Sequence, residues 1–192
     1  MSGRVAFHSI VMAGRISALI DISRINLQVH SSDRMAALEE VARQLENHPD
    51  VTNFDAFYAE LLAREELDTT YLGKAVALPH ARTKHVNKIV MAIGRSDQGV
   101  SFNDSDEDVK LMFVLGTTKS NPTDYLMCVS SLVKILNKPE NLEALMTAKN
   151  QEEFAQAITT AEEKLLSPAS GLPAYCLILA ASISMRVTNS FI

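Results

Sequence analysis

The sequence contains no tryptophan, only two cysteines among 192 residues, and 6% aromatic residues in all. Cys128 and Cys176 lie far apart and form no CxxC pattern, which excludes a disulfide framework. Two idle or buried thiols in a reducing compartment are the simpler expectation. Positive charge is also scarce. Lys and Arg number 18 against 23 Asp and Glu, the net charge is −5, and no basic block breaks the balance. Such a surface repels phosphate backbones and offers few rings for base stacking, so nucleic acid is not an expected partner. Long apolar runs are missing too. The N-terminal stretch VAFHSIVMAGRISALI is interrupted by His8 and Arg15 and lacks a basic leader, so it does not read as a secretory signal. The C-terminal run LPAYCLILAASISM spans about 14 residues before Arg186, short of the roughly 18 needed to cross a bilayer. Stable membrane insertion is therefore not expected, and the cytoplasm is the expected location.

What is present is ordinary globular composition, 47% apolar and 21% charged. The length suits one domain with a full hydrophobic core. The expected division is a domain over residues 1–165 and a C-terminal appendage over 166–192, set off by Pro168, Gly171 and Pro173. The appendage is expected to dock on the domain or on a neighbour.

Residues 5–21 show loosely helical apolar spacing. RINLQVH then alternates as a short strand with Ile25, Leu27 and Val29 on one face. A helix is expected from a cap at Ser32 or Asp33, with Met35, Leu38, Val41 and Leu45 on its apolar face, ending before Pro49. A second starts at Asn53 and buries Phe54, Phe57 and Leu61. The period then changes. KAVALP, KIVMAIG and VKLMFVLG are short, nearly continuous apolar runs, as expected of strands covered on both faces. Helices over 123–137, 140–148 and 151–165 follow, the last burying Phe154, Ala157, Ile158 and Leu165. This order implies an α/β or α+β layered sandwich built on a mixed sheet.

Two apparent motifs carry no chemistry. GRSDQGVS, residues 94–101, nearly spells a phosphate loop, but Val100 stands where the lysine must reach the phosphates, and an extended segment follows. A turn between strands accounts for both glycines. His80 and His85 lack the companions of a metal site, and His8, His30 and His48 are scattered, so no metal and no cofactor is expected. No GxSxG elbow is present.

The stretch YLGKAVALPHART, residues 71–83, is different. A small apolar strand runs into Pro79, which has no N–H, so the sheet ladder is expected to end there and His80 to project from the edge. Ala75, Ala77 and Ala81 are small enough to leave room for a partner beside the ring. Near pH 7 one imidazole nitrogen is nucleophilic while the other donates to a fixed acceptor. Arg82, Lys84, His85 and Lys88 make the next loop locally basic, which suits an incoming phosphoryl group. A solvated basic loop accounts for these charges equally well on composition alone.

The run EELDTTYLGKAVALPHA resembles the active-site signature of the type-2 (fructose/mannitol/nitrogen-regulatory) enzyme IIA domains of the phosphoenolpyruvate-dependent phosphotransferase system. Glu65, Leu72, Gly73, Val76, Ala77, Leu78, Pro79, His80 and Ala81 occupy every place of that spaced pattern. Arg64 and Thr70 match the flanking RE…TT run, and the resemblance covers roughly residues 15–163. It implies a single-domain α/β sandwich whose mixed sheet is flanked by helices on both faces. It further implies that His80 accepts a phosphoryl group from the histidine phosphocarrier protein and passes it to a IIB partner or uses it for regulation. Arg64 aligns with the arginine that helps hold the phosphate, with Thr70 as a second polar contact and Arg82 nearby. Where many members carry a second histidine facing the first, this chain has Tyr125, which donates a hydrogen bond but is no imidazolium. The alternative implied is a nitrogen-regulatory-type binding protein whose phosphorylation state controls a kinase or transporter, with little onward transfer.

Overall fold

The computed structural model describes residues 16–102, 107–120 and 122–167. Two 3-10 turns, Ile16–Leu19 and Ile22–Arg24, lead into strand β1, Ile25–Asn26. Helix α1, Arg34–Ala42, tightens into a 3-10 turn over Arg43–Leu45, and helix α2 spans Phe54–Leu67. Five strands follow: β2 Tyr71–Gly73, β3 Val76–Ala77, β4 His80–Thr83, β5 Val90–Val100 and β6 Val109–Thr118. Helices α3, Pro122–Leu136, α4, Pro139–Thr147, and α5, Gln151–Leu166, complete the described chain.

Both early helices start where short polar side chains satisfy the first free N–H groups. Asp33 Oδ1 accepts from the amides of Met35 and Ala36, each at 3.0 Å. Asn53 Oδ1 accepts from Ala56 N at 3.0 Å. The expected strand over RINLQVH is cut short because Asn26 Oδ1 takes the Gln28 amide at 2.9 Å and bends the chain. Ile25, Leu27 and Val29 are all buried, but Val29 packs on the opposite side of the sheet from the other two. The period-2 reading of one shared face fails at that bend.

The six strands form one mixed sheet in the order β1-β5-β6-β3-β2, with β4 also paired to β6. β5 and β6 are antiparallel, whereas β1 runs parallel to β5, and β3 and β4 run parallel to β6. Alternate residues of the central pair enter two separate cores. Met91, Ile93, Leu111, Phe113 and Leu115 pack with α3, α4 and α5; Val90, Ala92, Met112 and Val114 pack with α1 and α2. Helices cover both faces, so the central strands are apolar on successive residues and lose the alternation that a half-exposed sheet would show. Gly94 permits the close approach of α1: a Cβ there would stand 2.2 Å from Val41 Cγ2.

Two expectations about local structure are corrected. GRSDQGVS is not a turn between strands. It lies in and just beyond β5, whose register against β6 shifts between Arg95 and Val100, and Gly99 takes φ of +89° at that irregularity. Nor does the ladder end at Pro79. The proline lacks an N–H but keeps its carbonyl, which accepts from Leu115 N at 2.9 Å, and β4 resumes pairing with His80 opposite Leu115. Residues 1–15 and 168–192, including the expected N-terminal helix, Cys176 and the C-terminal apolar run, lie outside the described residues. Among those described, no helix is long and apolar enough to cross a membrane, and no group of three His, Cys, Asp or Glu is placed to hold a metal.

Candidate functional site around His80

The pleat of β4 sets the site. Ala81 and Thr83 point inward and are buried, while His80 is half-buried and Arg82, on the same side of the strand, is exposed. The three alanines do not open a path to the ring. Ala75, Ala77 and Ala81 are at most 6% exposed, and the last two belong to the core under α1 and α2. Their small size lets the α2 side of the sandwich close on the strand.

His80 Nδ1 lies 3.0 Å from the carbonyl oxygen of Leu78, two residues back. A carbonyl only accepts, so Nδ1 carries the hydrogen of the neutral ring and Nε2 keeps a free lone pair. Burial lowers the imidazole pKa from its ordinary 6.5; the Leu78 carbonyl opposes this, Arg64 adds to the lowering, and Glu65 opposes it. The ring is therefore held neutral and nucleophilic around neutral pH.

The structure brings Tyr125 to His80. The first turns of α3 place the phenol ring 5.2 Å from the imidazole, centroid to centroid, with an interplanar tilt of 34°. Burial raises the Tyr125 pKa above 10.0, against the pull of Arg64 and Arg82, so the phenol stays a hydrogen-bond donor. Arg64, in the last turn of α2, donates from Nη1 to the Asp68 carbonyl at 3.0 Å and acts electrostatically on both His80 and Tyr125. The Arg82 guanidinium reaches along β6 to the Lys119 carbonyl at 3.4 Å and acts on Tyr125. The basic loop is partly balanced, because Glu60 on α2 sits 3.9 Å from His85 Nε2 and 3.7 Å from Lys119 Nζ.

Thr70 is placed otherwise than a phosphate contact requires. It is 6% exposed, and its hydroxyl donates to Glu65 Oε2 at 2.6 Å. Its hydrogen is committed inward. The carboxylate it serves is the group that residue-by-residue reading passed over. Glu65 is 1% exposed and paired with Arg34, whose Nη2 stands 2.8 Å from Oε1. Glu65 occupied the first place of the signature and so left a trace in the sequence. Arg34, on another helix, left none.

A half-buried imidazole packed beside a phenol and within the field of an arginine, on a doubly covered mixed sheet, defines a histidine-centred α/β domain. A model of the family described as "Phosphoenolpyruvate-dependent sugar phosphotransferase system, EIIA 2" matches residues 18–161, and the chain belongs to that family. The matched span agrees with the extent of the resemblance read from the sequence. The fructose-specific EIIABC component of Bacillus subtilis is 26% identical over 145 residues, 75% of this chain; the chain spans only 23% of that relative's length. Among solved structures, the nitrogen regulatory protein IIA-Ntr from Neisseria meningitidis superposes with a TM-score of 0.69 at 27% identity, covering 74% of this chain and 98% of that one. The IIAMTL of Escherichia coli, solved in complex with phosphorylated enzyme IIBMTL, gives 0.65 at 20% identity over 73% of this chain and 97% of the other, a likeness of fold.

Proposed function

We propose that this chain is a phosphoryl carrier in which Nε2 of His80 is the acceptor. The observation that carries the reading is the contact between His80 Nδ1 and the Leu78 carbonyl, which leaves Nε2 as the nucleophile. The donor is a phosphohistidine on the histidine phosphocarrier protein. The Nε2 lone pair attacks phosphorus in line, the donor's P–N bond breaks, and its electron pair returns to the donor imidazole. Little covalent work is left for the protein, so alignment and charge balance dominate. Arg64 balances the charge on the equatorial oxygens, Tyr125 donates one hydrogen bond, and Arg82 adds positive potential at the rim. Thr70 acts through Glu65. Onward transfer goes to a IIB partner, and the domain works in the cytoplasm within residues 1–165, with 166–192 an appendage.

A second reading rests on Tyr125. A phenol beside the acceptor cannot supply a proton as imidazolium does, and the likeness to a nitrogen regulatory protein fits a regulator of a kinase or transporter. Incubation with phosphoenolpyruvate, enzyme I and the phosphocarrier protein is expected to give an acid-labile adduct that His80→Ala abolishes. No adduct with any phosphohistidine donor overturns the carrier. An adduct that no IIB protein discharges favours the regulator.

A further inference from the structure

We infer that Arg34 and Glu65 are positioning residues for His80, acting through Thr70 and Leu78 to set the tautomer and direction of the ring. The inference rests on the carrier reading for its consequence, though not for its geometry.

The connection is continuous. Arg34 grips Glu65 twice, with Nε donating to Oε1 at 3.0 Å and Nη2 standing 2.8 Å from the same oxygen. Nη2 also donates to the backbone carbonyl of Glu65, one of the last carbonyls of α2, which have no partner within the helix. Arg34 thereby arrests the helical turn that carries Arg64. The Arg34 guanidinium is itself held over the Phe102 ring, 5.2 Å from its centroid. Glu65 then accepts from Thr70 twice, from the hydroxyl at 2.6 Å and the amide at 3.3 Å. Thr70 is where the β2–β3 hairpin begins, and its carbonyl accepts from Leu78 N at 3.0 Å, where the hairpin ends. The Leu78 carbonyl in turn faces His80 Nδ1 at 3.0 Å. One buried carboxylate thus anchors both strands of approach to the site, the end of α2 with Arg64 and the hairpin that delivers His80.

These donors suit a carboxylate. Arg34 Nε and Nη2 and Thr70 N can only donate, and the Thr70 hydroxyl donates to Oε2. An amide in place of the carboxylate loses the charge paired with Arg34 and turns an N–H₂ toward Thr70 Oγ1, whose hydrogen then has lost its acceptor. The turn between β2 and β3 gives a reason for so firm an anchor. Gly73, Lys74 and Ala75 take φ of 89°, 56° and 58°, so two residues with a Cβ sit in the left-handed region. A hairpin closed by an unfavourable turn needs its ends held from outside. A purely structural ion pair would also explain the burial, but it would not predict an effect on the ring's tautomer.

The test compares the full chain with Glu65→Gln and with the double variant Arg34→Gln/Glu65→Gln, which leaves no unpaired charge if the single change folds poorly. Long-range ¹H–¹⁵N correlation spectra of the imidazoles report the His80 tautomer, and single-turnover phosphorylation by a phosphohistidine donor at saturation reports the transfer step. The expected result is one Nδ1–H tautomer in the wild type. In a variant that still unfolds cooperatively, the Nε2–H form grows in and the saturated rate falls roughly tenfold to hundredfold, the scale of a misplaced reacting group. Folded variants that keep the single Nδ1–H tautomer, or the wild-type saturated rate, overturn the inference. A wild type that takes no phosphoryl group sinks the carrier reading alone, because the tautomer comparison still decides the positioning role.

Discussion

The imidazole of His80 and the phenol of Tyr125, 45 residues apart in the chain, stand 5.2 Å apart between ring centroids. The contact joins the start of β4 to the first turn of α3 and sets the phenol beside the proposed acceptor. Tyr125→Phe removes the donor while keeping the ring, and a few-fold loss of transfer rate is expected. Tyr125→His introduces a proton donor at neutral pH, and onward transfer to a IIB protein is expected to quicken about tenfold. Rapid-quench measurement of both half-reactions checks this; identical rates in the three proteins would remove Tyr125 from the mechanism.

Arg64 and Arg82 separate by their reach. Only Arg64 acts on His80, where it depresses the pKa. Arg64→Ala is expected to slow phosphoryl acceptance about a hundredfold, the scale of a lost charge-stabilising donor, and to raise the His80 pKa. Arg82→Ala should cost no more than about fivefold, as for an exposed charge. NMR titration of His80 in both variants, alongside the rates, distinguishes the two roles.

The pH dependence follows from the direction of the His80 shift. With the folded pKa below 6.5, the acceptance rate is expected to be flat above that value and to fall only once the pH drops through the lowered pKa. Stability carries the same sign. The unfolded chain binds the proton more readily, so the contribution is present in full above 6.5 and is lost as pH falls through the folded pKa. Denaturant titrations of wild type and His80→Gln across this window should show the slope in the first and its reduction in the second.

Gly94 tests the close packing of α1 on the sheet. A Cβ at this position would lie 2.2 Å from Val41 Cγ2 and 2.9 Å from Val29 Cγ2. Gly94→Ala is expected to cost about 1–3 kcal/mol of stability, the usual penalty for overpacking. An unchanged denaturation midpoint would show that α1 retreats freely.

Much of the fold was legible because its signals are short-range. Asp33 and Asn53 announce the two early helices, and the apolar runs over 90–94 and 109–116 announce strands covered twice. Where reading failed, competing local chemistry was the cause. Asn26 bent the chain and sent Val29 to the other core, and Pro79 removed one donor without ending the ladder. In the site, His80 and Arg64 stood out through the spacing of the signature, and Tyr125 through its departure from a histidine. Thr70 was found at the right place, but its hydroxyl faces inward to Glu65.

The sequence by itself determined the succession of helical and extended segments, many of the residues that enter the core and the suspicion attached to His80. Periodicity, capping and spacing act over a few residues, and a single chain displays them directly. Tertiary structure alone decided which nitrogen of His80 is free, that Tyr125 packs beside it within the field of Arg64, and that Arg34 holds Glu65 across 31 residues of chain. Those outcomes depend on hydrogen-bond geometry between elements distant in sequence. Such geometry exists only once the sheet has been closed between its two layers of helices.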